Sequence, residues 1–357
     1  MTTESIKKNF DTLQLLRGIA AMLVVFYHGT HTELLNIFKL GYMGVDLFFV
    51  LSGFIILYIH FSDFGWKKKL KPYLQKRIIR VFPLYLIVTL LYVTIVSIFG
   101  HQIPFNYMIK SILLLPQDED PIIGVAWTLQ HELLFYFLFS LCIWQKKLFV
   151  PLVTAWGLSI LMFSTFKHML PSSPVLSLFF SPINLEFLFG SFIALIIIKK
   201  KISHINWVTS AGVIILMMFL LLNLFDIFNF HRVIAWGIPS AIIIFGLVNL
   251  EQKKEVKISR VFIRLGDSSY SIYLTHLLTL LVLESIIERV EVLTLINKSL
   301  VEIIVCMVAI IVGCAFYSLI EAPLLTILKN KLTPSSKQSI ALKDLERDSL
   351  LNVTVEK

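Results

Sequence analysis

The chain has 357 residues, of which 57% are hydrophobic and only 15% charged, and its formal net charge is +9. A water-soluble domain of this length does not tolerate so apolar a surface, so the composition excludes a soluble globular protein and indicates that lipid surrounds most of the chain. The basic residues lie in short clusters between apolar runs, which is typical of orientation in a bilayer and not of nucleic-acid binding.

Apolar runs long enough to cross a membrane recur along the whole sequence. A helix needs about 20 mostly apolar residues to span a hydrocarbon core of about 30 Å. The runs therefore predict an all-α, polytopic membrane protein with about ten transmembrane helices. The predicted spans are 13–30, 42–60, 81–99, 124–144, 148–164, 182–198, 206–225, 232–250, 266–287 and 299–320.

The lysines and arginines between these runs predict the orientation. Basic residues crowd cytoplasmic loops, and with the N-terminus inside, twenty-five fall on the inner side and six on the outer side. Both termini are therefore predicted to lie in the cytoplasm, and the protein is predicted to span the cell inner membrane. Lys7 and Lys8 before the first run resemble a signal peptide, but no small-residue cleavage site follows, which favours a retained helix. Residues 1–332 form the predicted transmembrane domain and residues 333–357 a polar cytoplasmic tail.

Ionisable residues inside the first two spans need an explanation, because a charge at the centre of a span costs at least about 2.5 kcal/mol. Arg17 and His28 are eleven positions apart, which places them within about 20° of the same helix face and about 16 Å apart. Taken alone, the two residues equally fit anchors that reach the two membrane surfaces. Asp46 in the second span favours a polar site, since an intramembrane carboxylate needs a cationic or imidazole partner.

The order and spacing of these residues and of later motifs resemble the acyltransferase-3 family of integral membrane O-acyltransferases, especially its standalone O-antigen and exopolysaccharide O-acetyltransferases. The family has an arginine and a histidine with ten residues between them in the first helix, which is the spacing of Arg17 and His28. The likeness spans nearly the whole chain. It continues through VDLFFVLSGF at 45–54, Arg77 and Arg80 followed by VFPLY, WTLQHELLFY at 127–136, SYSIYLTH at 269–276 and Glu321-Ala322-Pro323.

The resemblance implies transfer of an acyl group, acetyl above others, to a hydroxyl of a cell-surface polysaccharide such as lipopolysaccharide O-antigen. An alcohol needs a base to become a good nucleophile near neutral pH, and a buried neutral imidazole suits that role. His28 is the predicted general base. A carboxylate that fixes the imidazole and stabilises the imidazolium is expected beside it, and Asp46 and Glu132 both remain candidates.

The resemblance also implies acetyl-CoA or another acyl-CoA as a co-substrate, with no bound cofactor. Arg17, Arg77 and Arg80 are predicted to bind the donor phosphates, although a basic segment after the second span also follows from orientation alone. Other polar residues are weaker candidates, which serve equally well as packing or as hydrogen bonds between helices. These acceptor or site-lining candidates are Ser52, Trp127, Tyr136, Tyr270 and His276.

No metal site is predicted, because Cys142, Cys306 and Cys314 lie apart inside apolar runs without paired spacing. The expected partners are membrane lipid, acyl-CoA and a glycan acceptor, free or lipid-linked, and no nucleic acid.

Two other functions compete with the enzyme. A transporter also carries intramembrane Asp, Glu, His and Arg, but the sequence has no matched broken helices in two halves. In a non-catalytic subunit of a glycan-assembly complex, the same residues would only hold helices together.

Overall fold

A computed structural model describes residues 10–98, 100, 102–166, 173–199, 207–228, 230–289 and 297–332. Within these residues the regular structure is helical throughout. Ten helical segments of the described chain are long and apolar enough to cross a membrane, which confirms the predicted all-α architecture with ten spans. Lys7, Lys8 and the predicted tail at 333–357 lie outside the described residues.

Fourteen α-helices make up the described fold. In chain order they are α1 Asp11–Gly29, α2 Met43–His60, α3 Lys67–Ile98, α4 Phe105–Ile112, α5 Trp127–Trp144, α6 Phe149–Phe166, α7 Pro174–Phe179, α8 Asn184–Lys199, α9 Trp207–Leu224, α10 Ile238–Lys253, α11 Arg260–Asp267, α12 Ser269–Arg289, α13 Lys298–Phe316 and α14 Ala322–Leu332. Four short 3₁₀ segments and two π-helical turns extend or join them. These are Glu33–Leu40, Phe61–Asp63, Gly124–Ala126 and Lys146–Leu148, and the π turns Val233–Gly237 and Tyr317–Glu321.

The third spanning helix is much longer than the sequence predicts. Helix α3 begins at Lys67 and has 32 residues, whereas the predicted apolar span begins at 81, so the basic segment that follows the second span belongs to the helix itself. Lysine, leucine, glutamine and arginine are good helix formers, and the helix therefore continues beyond the apolar stretch that hydropathy detects. Arg77 and Arg80 consequently lie on a rigid helix. The end of the bundle that carries Lys67–Lys69 is called the basic end.

Helices α2 and α8 touch through their backbones. A Cβ atom at Gly53 would overlap the carbonyl oxygen of Phe187, and one at Gly190 would overlap the carbonyl oxygen of Val50. Small residues at such contacts let membrane helices approach closely, which maximises van der Waals packing where no hydrophobic force acts between helices. The contact fixes α2, which carries Asp46 and Ser52.

Helix α1 lies against α2, α11, α12 and α13, and a buried carboxylate fixes its start. Glu251 accepts hydrogen bonds from the backbone N–H groups of Asp11 and Thr12, each at 2.9 Å, and from the Thr12 hydroxyl at 2.5 Å. The first N–H groups of a helix have no partner inside the helix, and a negative charge there is stabilising. This contact sets the position of Arg17 and His28 in the bundle.

Candidate active site

A cavity of about 850 Å³ opens between α1, α2, α3, α5, α12 and α14. It runs from Lys76 and Lys329 near the basic end to Val45 and Thr128. Along α2 the lining extends from Ile56 to Val45, which corresponds to about 16 Å of helix. The polar and charged lining residues are Arg17, Ser52, Gln75, Lys76, Arg77, Arg80, Thr128, Glu132, Tyr136, Ser269, Tyr270, Tyr273 and Lys329.

Arg17 presents its guanidinium to this cavity, and its hydrogen-bond partners among the described residues are neutral. It donates hydrogen bonds to the Ser269 hydroxyl at 3.0 Å and to the Gln14 side-chain oxygen at 3.3 Å. Neither partner carries a charge, so no carboxylate in contact with Arg17 neutralises it within the described structure. A guanidinium in this state can bind an anion bidentately.

Arg80 is held by a buried carboxylate. Its guanidinium forms an ion pair with Glu321, whose second oxygen accepts a hydrogen bond from the Ser271 hydroxyl at 2.6 Å. The guanidinium also lies 4.9 Å from the centre of the Tyr270 ring, and the Tyr270 hydroxyl donates to the Val81 carbonyl at 2.7 Å. Arg80 therefore joins α3 to α12 and to the turn before α14.

Arg77, one helical turn earlier, has a different environment. Its guanidinium lies 5.8 Å from the ring centre of Tyr73 and 5.5 Å from that of Tyr136. Its buried Nε has no hydrogen-bond partner among the described residues. Aromatic faces attract the cation but leave its N–H groups to bind another group. The Arg-x-x-Arg pair is thus divided between an anion-binding candidate and a structural ion pair.

Glu132 lies on the cavity wall with two hydroxyl partners. The Tyr136 hydroxyl donates to it across one helical turn, and the Ser52 hydroxyl donates at 3.5 Å from α2. Three of the predicted site residues are therefore brought together in one cluster. Glu132, one of the two carboxylates that the sequence leaves open as a partner of His28, has these two hydroxyls as its hydrogen-bond partners in the described structure.

Asp46 has the cationic partner expected of a carboxylate inside a span, although the sequence did not single out the residue. It is fully buried, and Arg232 donates to both of its oxygens, from Nε at 3.0 Å and from Nη2 at 2.7 Å. Arg232 also lies 5.3 Å from the Tyr42 ring centre. The expectation that Asp46 supports the His28 imidazole is not met, because both carboxylate oxygens face the guanidinium. In the sequence, Arg232 is one of the six basic residues on the predicted outer side, with nothing to link it to Asp46.

His28 lies beyond the inner end of the cavity, next to a second histidine. The ring centres of His28 and His276 are 5.3 Å apart, and those of His276 and Tyr273 are 5.9 Å apart. Tyr273 and Phe48 both line the cavity at the end nearest His276, its inner end, and pack edge to face with their ring centres 6.0 Å apart. Arg17 therefore faces the cavity, and His28 is separated from it by His276 and Tyr273.

Trp127 does not line the cavity. Its ring packs against Phe49 at 6.2 Å and His131 at 5.6 Å, as expected of a packing aromatic. Sequence reasoning missed Ser269 and Tyr273, which stand in the SYSIYLTH motif beside residues that it had selected. Their contribution is visible only once α12 is placed against α1 and α2.

The chain belongs to the acyltransferase-3 family: residues 10–319 match the family model described as an acyltransferase domain. It is an O-acyltransferase embedded in a membrane through several spans, which confirms the enzyme interpretation over transport. The chain is similar to the "Putative acetyltransferase ORF330" of Acidianus two-tailed virus, with 31% identity over 297 residues that cover 77% of this chain and 84% of the viral protein.

The chain is also similar to the "Exopolysaccharide production protein ExoZ" of Rhizobium meliloti (strain 1021). The two are 24% identical over 300 residues, which cover 81% of this chain and 90% of the relative. No solved protein structure matches the chain.

Proposed function

We propose that the enzyme transfers an acyl group, acetyl above others, from acyl-CoA to a hydroxyl of a cell-surface polysaccharide such as lipopolysaccharide O-antigen. The single observation that carries this proposal is the cavity, which holds the guanidinium groups of Arg17 and Arg77 without a contacting carboxylate among the described residues and whose lining residue Tyr273 lies beside His276 and His28. The described structure and the family together support acyl transfer. The donor and the acceptor are the proposed parts.

The donor site fits a phosphate-bearing thioester. Arg17 and Arg77 offer fork-shaped N–H groups that match phosphate oxygens, and Lys76 and Lys329 lie on the lining near the mouth. The volume of about 850 Å³ is that of a small-molecule site. By the positive-inside rule the basic end faces the cytoplasm, and both termini lie on the same side of the inner membrane. The mouth of the cavity then opens to the cytoplasm, where acyl-CoA is found.

The reaction transfers the acyl carbon from sulfur to oxygen. His28 acts as the general base that takes the proton from the acceptor hydroxyl, whose oxygen then attacks the thioester carbonyl. The carbon–sulfur bond breaks, and the thiolate leaves toward the cavity. Glu132, Ser52 and Tyr136 form the polar wall along which the thioester arm lies.

A glycan is the preferred acceptor class. The name of the Rhizobium relative refers to exopolysaccharide production, and a surface polysaccharide offers hydroxyls on the membrane side opposite the basic end. His28, at the far end of α1 from the basic end, lies where such a hydroxyl would arrive. A free and a lipid-linked glycan both fit this approach.

The test compares surface glycans by mass spectrometry from cells that carry the wild-type gene, no gene, H28A or H31A. The proposal predicts that wild-type cells gain one acyl mass per glycan repeat and that H28A loses it at unchanged protein level in the membrane. His31 is an exposed histidine three residues further on, so H31A is the matched control and should keep the product. An acylated glycan in H28A cells would contradict the role of His28, and an acylated lipid or small molecule would contradict the acceptor.

A further inference from the structure

His276 is a buried imidazole to which no described side chain is hydrogen-bonded. Its exposed fraction is 0%. Burying an imidazole without a side-chain partner costs free energy, which points to a role for this histidine besides packing. Its ring stands between His28 and the cavity-lining Tyr273, at 5.3 Å and 5.9 Å between ring centres.

The reaction requires a proton to move from the His28 side toward the cavity, which is the line along which the rings of His28, His276 and Tyr273 lie. Acyl transfer from a thioester to an alcohol consumes one hydroxyl proton and leaves a thiolate that must be protonated to give the free thiol. In the proposed function the hydroxyl is on the His28 side of the reacting carbonyl and the sulfur is on the cavity side. The proton therefore has to pass from His28 toward the inner end of the cavity.

We propose that His276 is a proton-relay residue, which receives the acceptor proton from His28 and delivers it to the thiolate at the inner end of the cavity. This inference rests on the proposed function. Imidazole suits such a step because one ring nitrogen accepts a proton while the other releases one. Rotation of the two rings about their Cβ–Cγ bonds can bring nitrogens to hydrogen-bonding distance at this separation of centres. The relay ends with both histidines neutral and the sulfur as a thiol, so atoms and charge balance.

Other polar groups near this path have partners of their own. The Tyr273 hydroxyl lies 2.9 Å from the Val125 carbonyl and 2.9 Å from the Thr128 hydroxyl. Asp46 is engaged by Arg232, and Glu132 by Tyr136 and Ser52. His276 is a buried basic group beside His28 that has no side-chain hydrogen bond in the described structure and lies on the side of Tyr273.

Chemical rescue tests the relay in membranes that contain the full chain and its glycan acceptor. Labelled acetyl-CoA is added to wild type and to H276A, and label in the glycan fraction is followed with and without imidazole. We expect H276A to lower kcat about 100-fold with an unchanged KM for acetyl-CoA, and imidazole to restore at least part of the rate. Pyrrole has the same ring size and an N–H group but no basic nitrogen, and should not restore it.

H131A is the matched control. His131 is another buried histidine, hydrogen-bonded to Asn184 at 2.8 Å, and imidazole should leave the rate of the H131A variant unchanged. The relay is refuted if H276A retains more than half the wild-type kcat, or if pyrrole rescues as well as imidazole. Should H276A not reach the membrane, H276Q replaces it: a wild-type kcat in H276Q refutes the relay, and a loss confined to kcat supports it.

The same samples separate this inference from the proposed function. Wild type and H28A carry no change at His276, so a wild type that labels no glycan, or an H28A variant that labels it fully, refutes the proposed function and the relay with it. Normal transfer by wild type, none by H28A and full transfer by H276A refutes the relay alone.

Discussion

Arg77 and Arg80 stand one helical turn apart, yet their contacts predict opposite consequences of substitution. R80Q removes the partner of Glu321, a carboxylate whose side chain is only 2% exposed. R77Q removes a guanidinium that packs on two aromatic rings and contacts no carboxylate among the described residues. We expect R80Q to reduce the stability of the protein and R77Q to weaken donor binding.

The magnitudes follow from burial and charge. Breaking a fully buried ion pair costs about 3 to 5 kcal/mol, but the Arg80 side chain is 29% exposed, so solvent screening reduces the expected loss to about 2 kcal/mol. That loss lowers the folded-to-unfolded ratio by about 30-fold. A charge-assisted hydrogen bond contributes about 1.5 to 3 kcal/mol, so R77Q should raise the dissociation constant for acetyl-CoA by about tenfold to 100-fold.

Two measurements on purified protein in detergent decide the matter: denaturant unfolding for stability and calorimetric titration with acetyl-CoA for donor affinity. E321Q should destabilise as much as R80Q, and the double variant should lose much less than the sum of the two, because each single change removes the same pair. Equal losses of donor affinity in R77Q and R80Q, with unchanged unfolding in R80Q, would refute the division between the two arginines.

Three further outcomes follow from contacts elsewhere. G190A should not accumulate in membranes, because the added methyl group would overlap a backbone carbonyl of α2. G157A should be tolerated, because its methyl group would meet only a side chain, at 3.4 Å. Immunoblots of membrane fractions compare the amounts of the two variants. E251Q should reduce unfolding free energy by about 1 to 3 kcal/mol in denaturant titrations, because an amide replaces the charge that accepts bonds from the start of α1 and from Thr12. R17K keeps the charge but loses the fork, so the acetyl-CoA dissociation constant measured by titration should rise about tenfold.

The sequence predicted what depends on position along one helix. Apolar runs have the length of a bilayer, and Arg17 and His28 are separated by a spacing that the helix itself converts to depth and direction. Contacts between distant helices did not follow from the pattern. Charge counting treated Arg232 as a loop residue, since hydropathy cannot distinguish an arginine beside a span from one that turns inward to Asp46.

The same tertiary information was needed to tell which polar residues line the candidate site and which hold helices together. His276 was one weak candidate among several until α12 placed it against His28. Arg77 and Arg80 look equivalent in the sequence, and only the position of Glu321 near the end of the chain distinguishes them. Ser52, Glu132 and Tyr136 were selected from separate motifs, and the fold brings them to one wall.

The edge-to-face contact between Phe48 and Tyr273 bears on how the cell keeps the electrochemical gradient across its membrane. A water-filled cavity entered from one face, with an ionisable ring reachable from the other, would short-circuit an electrochemical gradient if the two were continuous. Each unit charge that leaked would dissipate about 2.3 kcal/mol per 100 mV. The two rings present apolar carbon surface 6.0 Å apart between their centres at the inner end of the cavity, and apolar surface of this kind disfavours a continuous file of water across the bilayer.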